Sequence, residues 1–158
     1  MKASLRIVTL FLLIGSTFSA CKQNESAEEI DLRTQYVGAY DPIQYNAVTY
    51  VGDFPSAPDQ GRGALTVEKG TGGNKEFFIN ITFPGYSEQL VAELDGRNFR
   101  VINKSKEDLV VLGRSLPADY VATGEFTTDN QIIINLVVQT TNSGTLVKKV
   151  GSFTGPKK

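Results

Sequence analysis

Strict alternation of apolar and polar residues limits the fold of this chain more than any other feature. In residues 75–83, and again in residues 131–139, apolar side chains occupy every second position. They are Phe77, Ile79, Ile81 and Phe83 in the first run, and Ile132, Ile134, Leu136 and Val138 in the second. Because successive side chains of a β-strand point to opposite faces, this period predicts strands with one buried face. No segment after Tyr36 sustains a helical stripe, so we expect an all-β domain.

Short clusters of turn-forming residues separate the predicted strands. These clusters cover residues 70–74, 95–98, 127–130 and 142–144 and are rich in residues that tolerate positive φ. Further strands are predicted at residues 44–51, 65–68, 90–94, 99–102, 109–112, 120–126 and 146–153. Strands joined by such short turns pair antiparallel. About eight strands without a helical crossover predict an up-and-down antiparallel barrel. A β-sandwich is the alternative, because residues 53–61 form a longer connection that holds two prolines.

The composition excludes several kinds of chemistry. The 158 residues include 16 Lys and Arg, 17 Asp and Glu, one Cys, and no His or Trp. A near-neutral charge provides no basic surface for nucleic acid. Without His, the chain cannot form a Ser-His-Asp triad, a Cys-His nucleophile or a His-ligated zinc site. We therefore expect a protein that is not an enzyme and that uses no metal and no cofactor.

Charged residues of the body are expected to be solvated. Residues 104–108, Lys-Ser-Lys-Glu-Asp, carry mixed charge and are predicted to form an exposed turn. No spacing matches a calcium loop, so the acidic groups of the early loops are interpreted as solvent-exposed charge.

The first 21 residues have the layout of an export signal. Lys2 and Arg6 precede an apolar run over residues 7–14, and small residues lead to Ala20 and Cys21. This pattern is typical of a secretory signal and is too short to span a bilayer as a helix. Residues 18–21, Phe-Ser-Ala-Cys, resemble the lipobox of bacterial lipoproteins. The resemblance implies that residues 1–20 are removed and that Cys21 carries palmitate-type acyl chains, which anchor a protein to a membrane.

A polar tether is predicted between this cysteine and the body. Residues 22–29 hold few apolar side chains and cannot bury enough surface to fold alone. Ser26 and Glu29 are spaced as a capping box, which predicts a short helix through Thr34 within the segment 21–35. Lys22 follows the cysteine in place of the Asp that marks inner-membrane retention in lipoproteins. We expect the outer membrane, on either its periplasmic or its surface face.

Four short motifs of the body are Tyr-Val-Gly-Ala-Tyr at residues 36–40, Gly-Ala-Leu-Thr-Val at 63–67, Gly-Glu-Phe at 124–126 and Gly-Ser-Phe-Thr-Gly-Pro-Lys at 151–157. Together they resemble the lipocalin-like, calycin-type β-barrel lipoproteins of Bacteroidetes. Residues 38–40 are similar to the Gly-x-Trp of lipocalins, in which the aromatic residue closes one end of the barrel. The resemblance covers residues 35–158 and implies a lipocalin-like barrel domain over residues 36–158.

Inward-facing aromatic and aliphatic residues would line a binding site inside such a barrel. An eight-stranded barrel can just enclose one small ligand. The predicted ligand-binding residues are Tyr40, Phe77, Ile79, Phe99, Tyr120, Phe126, Ile134 and Leu136. The alternative is that such residues fill a solid core. Tyr36, Tyr40, Tyr45 and Tyr50 are expected either to line the barrel mouth or to serve as sheet and end residues.

These features together predict an outer-membrane-anchored lipoprotein whose barrel binds a small lipophilic ligand without catalysis. The alternative is a structural or protein-interaction module of the cell envelope, with an envelope protein as its partner.

Overall fold

A short helix and ten strands make up the computed structural model, which describes residues 31–158. The 3-10 helix covers Leu32–Gln35, and the Asp31 carboxylate caps it by accepting a hydrogen bond from the Arg33 N–H. The strands are β1 (Gly38–Val51), β2 (Phe54–Pro55), β3 (Asp59–Lys69), β4 (Glu76–Phe83), β5 (Tyr86–Asp95), β6 (Asn98–Val101), β7 (Lys106–Val111), β8 (Arg114–Phe126), β9 (Gln131–Asn142) and β10 (Thr145–Pro156). Within the described residues, no helix has the length and apolar character needed to span a membrane.

The predicted signal peptide and Cys21 lie outside the described residues. The same holds for residues 22–30 of the tether. Of the helix predicted through Thr34, residues 32–34 belong to the 3-10 helix.

Eight of the strands close into an antiparallel barrel. Their order is β1, β3, β4, β5, β6, β8, β9 and β10, and β10 pairs with β1 over residues 147–154. The two remaining strands are additions, since β2 pairs with the end of β1 and β7 pairs with β8. The closed ring confirms the predicted barrel and excludes the sandwich. The connection over residues 53–61 joins β1 to its neighbour β3 and does not cross between sheets.

The period-two pattern places the core inside this ring. Strands β4 and β9 coincide with the two strongest alternating runs, and their apolar positions are buried except at Phe83, which is half-buried. All eight side chains predicted to bind a ligand are buried, with exposed fractions of 6% or less. Parity along each strand therefore identifies which side chains face inward.

The helical end of the barrel is closed by stacked rings and by hydrogen bonds from the 3-10 helix. Tyr36 stacks on Phe126 with ring centroids 4.1 Å apart, and Phe126 packs on Phe99 at 5.1 Å. Arg33 donates hydrogen bonds to the carbonyl oxygens of Gly70 and Glu76, at 3.1 and 2.7 Å. The helix is thereby tied to the loop between β3 and β4. A pocket of about 520 Å³ lies at this end, lined by Tyr36, Tyr40 and Phe126 among others.

Residues 102–112 depart from the sequence prediction. Strand β6 stops at Val101, β7 starts at Lys106, and both pair with β8 in registers that differ by two residues. The predicted exposed turn over residues 104–108 is therefore wrong, because residues 106–108 are strand and Lys104 and Glu107 are half-buried. Leu112, predicted as strand, lies in the β7–β8 turn with φ of 51° and is 98% exposed. Leu112 and Gly113 both have positive φ, as a tight hairpin turn requires.

Candidate ligand site at the open end of the barrel

A cavity of about 460 Å³ enters the barrel at the end opposite the 3-10 helix. Ile81 and Leu136 are among the apolar residues that line it. Because neighbouring strands run in opposite directions, the turns after β1, β4, β7 and β9 meet at this end. The volume lies within the range of about 300–1,000 Å³ that is typical of small-molecule pockets. The open end therefore has the dimensions of a ligand site.

Three aromatic rings form the apolar wall of the cavity. Tyr45 and Phe153 stack with centroids 4.8 Å apart, and Phe83 lies 5.9 Å from Phe153 and 6.2 Å from Tyr45. The Phe83 ring packs directly on the backbone of β3 at Gly63, where an added Cβ would lie 2.7 Å from the Phe83 Cγ. A glycine at this inward position thus allows the ring to lie flat against the barrel wall.

An ion-pair network joins β5 to β7 beside the cavity. The Lys104 Nζ lies 2.6 Å from the Glu88 Oε1 and 2.7 Å from the Glu107 Oε2. It also lies 4.5 Å from the centroid of the Tyr120 ring, within cation–π distance. Burial opposes the charge on Lys104, but contacts with Glu107 and Glu88 raise its pKa. Lys104 is therefore a charged residue whose charge is balanced by the chain itself.

Two tyrosine hydroxyls lie near this ion-pair network at the mouth of the cavity, which is its opening at the end of the barrel. The Tyr86 hydroxyl donates a hydrogen bond to the Glu88 carboxylate. Burial, together with the nearby charges of Glu88 and Glu107, raises the pKa of Tyr120 above its usual range. Both hydroxyls stay neutral at physiological pH and present polar edges to the cavity.

A second, less compensated positive region lies on the opposite side of the mouth. The Lys149 Nζ lies 3.7 Å from the Asp59 Oδ2 and 5.5 Å from the Tyr45 ring centroid. Burial opposes the charge, and contacts with Tyr45 and Asp59 raise the Lys149 pKa, so the ammonium remains protonated. Arg62 is exposed on the same rim and forms no ion pair with any residue in the described part of the chain.

The structure separates the predicted ligand-binding residues into two groups. Tyr120 and Leu136 line the cavity. Tyr40, Phe77, Phe99 and Phe126 belong to the ring cluster of the closed end, and Ile79 and Ile134 lie fully buried within the core. Six of the eight therefore do not line this cavity, and Tyr40 and Phe126 instead line the pocket of about 520 Å³ at the helical end. Across residues 31–158, no cluster of three or more acidic side chains is placed to hold a metal ion.

Several residues of the cavity were not selected from the sequence. They are Phe83, Tyr86, Glu88, Glu107, Lys149 and Phe153. The alternation along a strand indicates which side chains face inward, but it does not indicate how far along the barrel axis each side chain lies. Strand direction supplies that information in an up-and-down barrel. Phe83 and Tyr86 flank the Pro84-Gly85 turn, so strand order alone would have placed them at the open end.

Comparison with known proteins yields limited similarity. No protein-family model matches the chain, and no curated protein matches it. The chain is similar to the crystal structure of a protein of unknown function from the DUF3598 family of Nostoc punctiforme, with a TM-score of 0.38 and 14% sequence identity. The match covers 79% of this chain and 48% of the Nostoc protein, so the chain spans about half of that protein's length. The similarity assigns no ligand and no activity.

Proposed function

We propose that this protein is a lipid-anchored protein of the outer membrane whose barrel binds a small lipophilic ligand without catalysing a reaction. The observation that carries the proposal is the cavity of about 460 Å³ at the open end. One half of the barrel interior is packed with rings and aliphatic side chains, whereas the other half leaves Tyr45, Phe83 and Phe153 in contact with an accessible space. Such a space, lined by rings and a few polar groups, is typical of a site for a small molecule.

Anchoring is supported by the sequence pattern of residues 1–21. An apolar signal that ends at the single cysteine of the chain is consistent with lipid attachment at Cys21. The polar residues 22–29 would then separate the barrel from the membrane. A binding protein tethered in this way would hold its ligand close to the membrane surface.

A structural or protein-interaction role is the second candidate, because apolar side chains are exposed near the β1–β2 turn. Phe54 is 81% exposed, and Val51 and Leu146 lie beside it. This role predicts that cross-linking from position 54 in intact cells captures the same partner protein in repeated experiments. Cross-linking that gives no discrete product would contradict it.

The ligand-binding proposal is tested by filling the cavity from within. Gly61 lines the cavity, and a Cβ added there would lie 3.3 Å from the nearest atom of the Phe83 ring, a tight contact that a small ring movement relieves. Gly61→Leu is expected to weaken binding of the neutral fluorescent probe N-phenyl-1-naphthylamine by about tenfold, since the added side chain takes space from the apolar probe. The measurement is a fluorescence titration of the full chain.

Ala64→Leu is the matched control for this titration. Ala64 lies on the same strand but is exposed on the outer face, so the variant adds the same side chain outside the cavity. We expect it to bind the probe as the unmodified chain does. Thermal melting of both variants establishes that they are folded. Equal affinities for all three proteins, or no saturable binding by the unmodified chain, would contradict the proposed site.

A further inference from the structure

We infer that the ligand is a compact aromatic carboxylate, with its carboxylate beside Lys149 and its rings against Tyr45, Phe83 and Phe153. The inference rests on the proposed function, because it assigns a chemical class to the ligand of the same cavity. Three observations support it. Lys104 is held between two carboxylates whereas Lys149 has one long contact with a carboxylate, aromatic rings line the wall, and the cavity is small.

The position that would attract a cationic ligand is already occupied by Lys104. Its ammonium lies between two carboxylates, at 2.6 and 2.7 Å, and over the face of Tyr120. These are short, charge-assisted contacts of the kind a bound amine would make. A cationic ligand would have to displace the chain's own ammonium from this position, so the cavity disfavours amines.

Lys149 retains the capacity to bind an anion. Its contact with Asp59 is 3.7 Å long, well beyond the 2.7–2.9 Å of a typical charge-assisted hydrogen bond, and the Asp59 side chain is 66% exposed. A carboxylate that entered the cavity could therefore accept a short hydrogen bond from Lys149 in addition to the contacts of this ammonium with Tyr45 and Asp59. Arg62, on the same rim, adds a second positive charge. Ligand carboxylates are thus favoured on this side of the mouth.

The wall next to Lys149 is suited to a ring. Tyr45 and Phe153 are stacked, while Phe83 meets Tyr45 nearly edge-on, at an interplanar angle of 72°. A planar ligand could extend this cluster by offset stacking or edge-to-face contacts, which aromatic rings prefer. The Lys149 Nζ lies 5.5 Å from the Tyr45 centroid, so the ammonium is close enough to this wall to contact a carboxylate attached to such a ligand.

The volume limits the length of the ligand. A cavity of 460 Å³ corresponds to about fifteen water molecules at the volume each takes in the liquid. A carboxylate on two fused aromatic rings fits this space, whereas a long acyl chain would extend out of the mouth.

The inference is tested by calorimetric titration of the full chain with four probes. They are 2-naphthoate, 2-naphthalenemethanol, 2-naphthylmethylamine and decanoate. The first three share a ring system and differ in head group, while decanoate carries the same carboxylate on a flexible body. We expect 2-naphthoate to bind about tenfold more tightly than the alcohol, which is the effect of one hydrogen bond to a charged group. The amine and decanoate are expected to bind more weakly than 2-naphthoate.

Lys149→Met and Lys148→Met form the matched pair of variants. Position 149 faces the cavity and position 148, its neighbour on β10, has the opposite parity and points outward. The first variant is expected to lower the 2-naphthoate affinity about tenfold and leave the alcohol unchanged. The second is expected to change neither affinity.

Other results of these titrations would contradict the ligand class or the proposed function. The carboxylate assignment is wrong if Lys149→Met binds 2-naphthoate with the affinity of the unmodified chain. It is also wrong if the unmodified chain binds the alcohol or the amine as tightly as 2-naphthoate. In both cases the proposed binding function stands. Tighter binding of decanoate would overturn the aromatic assignment. If none of the probes binds to the unmodified chain, the ligand class and the proposed function both fail.

Discussion

Single hydroxyl groups stabilise the closed end of the barrel. Tyr40 is 1% exposed, and its hydroxyl donates a hydrogen bond of 2.8 Å to the Tyr36 carbonyl oxygen. The resemblance of residues 38–40 to the lipocalin motif implied a closing role for Tyr40, and the structure places Tyr40 at that end. Its hydrogen-bond partner could not be predicted, because it is a backbone oxygen at the end of the 3-10 helix.

Tyr40→Phe is predicted to change the dependence of stability on alkaline pH. Burial raises the pKa of Tyr40 to about 12, compared with about 10 for an unfolded tyrosine. Folding therefore favours the neutral hydroxyl, and its contribution is complete below about pH 10 and is lost as the pH rises through about 12. Tyr40→Phe should lower the free energy of unfolding by about 1 kcal/mol at neutral pH, through the lost hydrogen bond. The difference should reach zero at about pH 11 and reverse its sign above that pH, because a pKa raised from about 10 to about 12 corresponds to more than 1 kcal/mol.

Urea denaturation at a series of pH values measures this difference. Comparison with the unmodified chain at each pH removes the contributions of the other tyrosines, which both proteins share. A difference that stays constant up to about pH 12 would show that Tyr40 titrates normally.

At the scale of elements, the sequence predicted the regular strands and missed the interrupted one. Strands β4 and β9 were identifiable because each has one fully apolar face. Between β6 and β7, a side chain replaces a backbone hydrogen bond to β5, since the Asn103 Oδ1 accepts a hydrogen bond of 2.8 Å from the Val91 N–H. Lys104, which follows, is half-buried because it pairs with Glu88 on β5, 16 positions away along the chain, as well as with nearby Glu107. Hydropathy along the chain does not report such distant pairs.

Lys104→Met is predicted to loosen the hairpin formed by β7 and β8. The variant leaves the Glu88 and Glu107 carboxylates without their shared ammonium, at a cost of about 1–3 kcal/mol for hydrogen bonds to a charged group. Amide hydrogen exchange within β7 should accelerate, and the urea midpoint should fall.

Lys106→Met is the control for this prediction. Lys106 pairs with Asp119, and both side chains are more than 60% exposed, so the loss of this pair should cost about 0–1 kcal/mol. If the two variants were equally stable, the Lys104 network would have no special role in holding the hairpin.

At the scale of the whole molecule, the two ends of the barrel have different roles. One end carries the 3-10 helix, the stacked rings and a pocket of about 520 Å³, and the other carries the cavity of about 460 Å³ with its aromatic wall. The sequence indicated a barrel and its inward-facing residues, but the division of the interior between packed rings and cavity could not be predicted. That division depends on how side chains from strands far apart in sequence fill a shared volume, for example Phe83 and Phe153.

Cys21→Ser is predicted to abolish lipid attachment. Cys21 is the single cysteine of the chain, so its loss removes the thiol that the acyl group needs. Metabolic labelling with radioactive palmitate should mark the unmodified protein and not the variant. Ser26→Ala, in the polar tether, is the control and should label normally. Labelling of the Cys21→Ser protein would contradict the lipoprotein assignment.

The central claim is that a small lipophilic ligand binds in the cavity at the open end, and amide chemical-shift mapping of the full chain tests it most directly. In a titration with N-phenyl-1-naphthylamine, saturable shifts are predicted at Gly61, Tyr86 and Phe153, which line the cavity. Gly96 and Thr128, at the closed end, should not shift. Shifts confined to the closed end, or no saturable shifts at any amide, would contradict the claim.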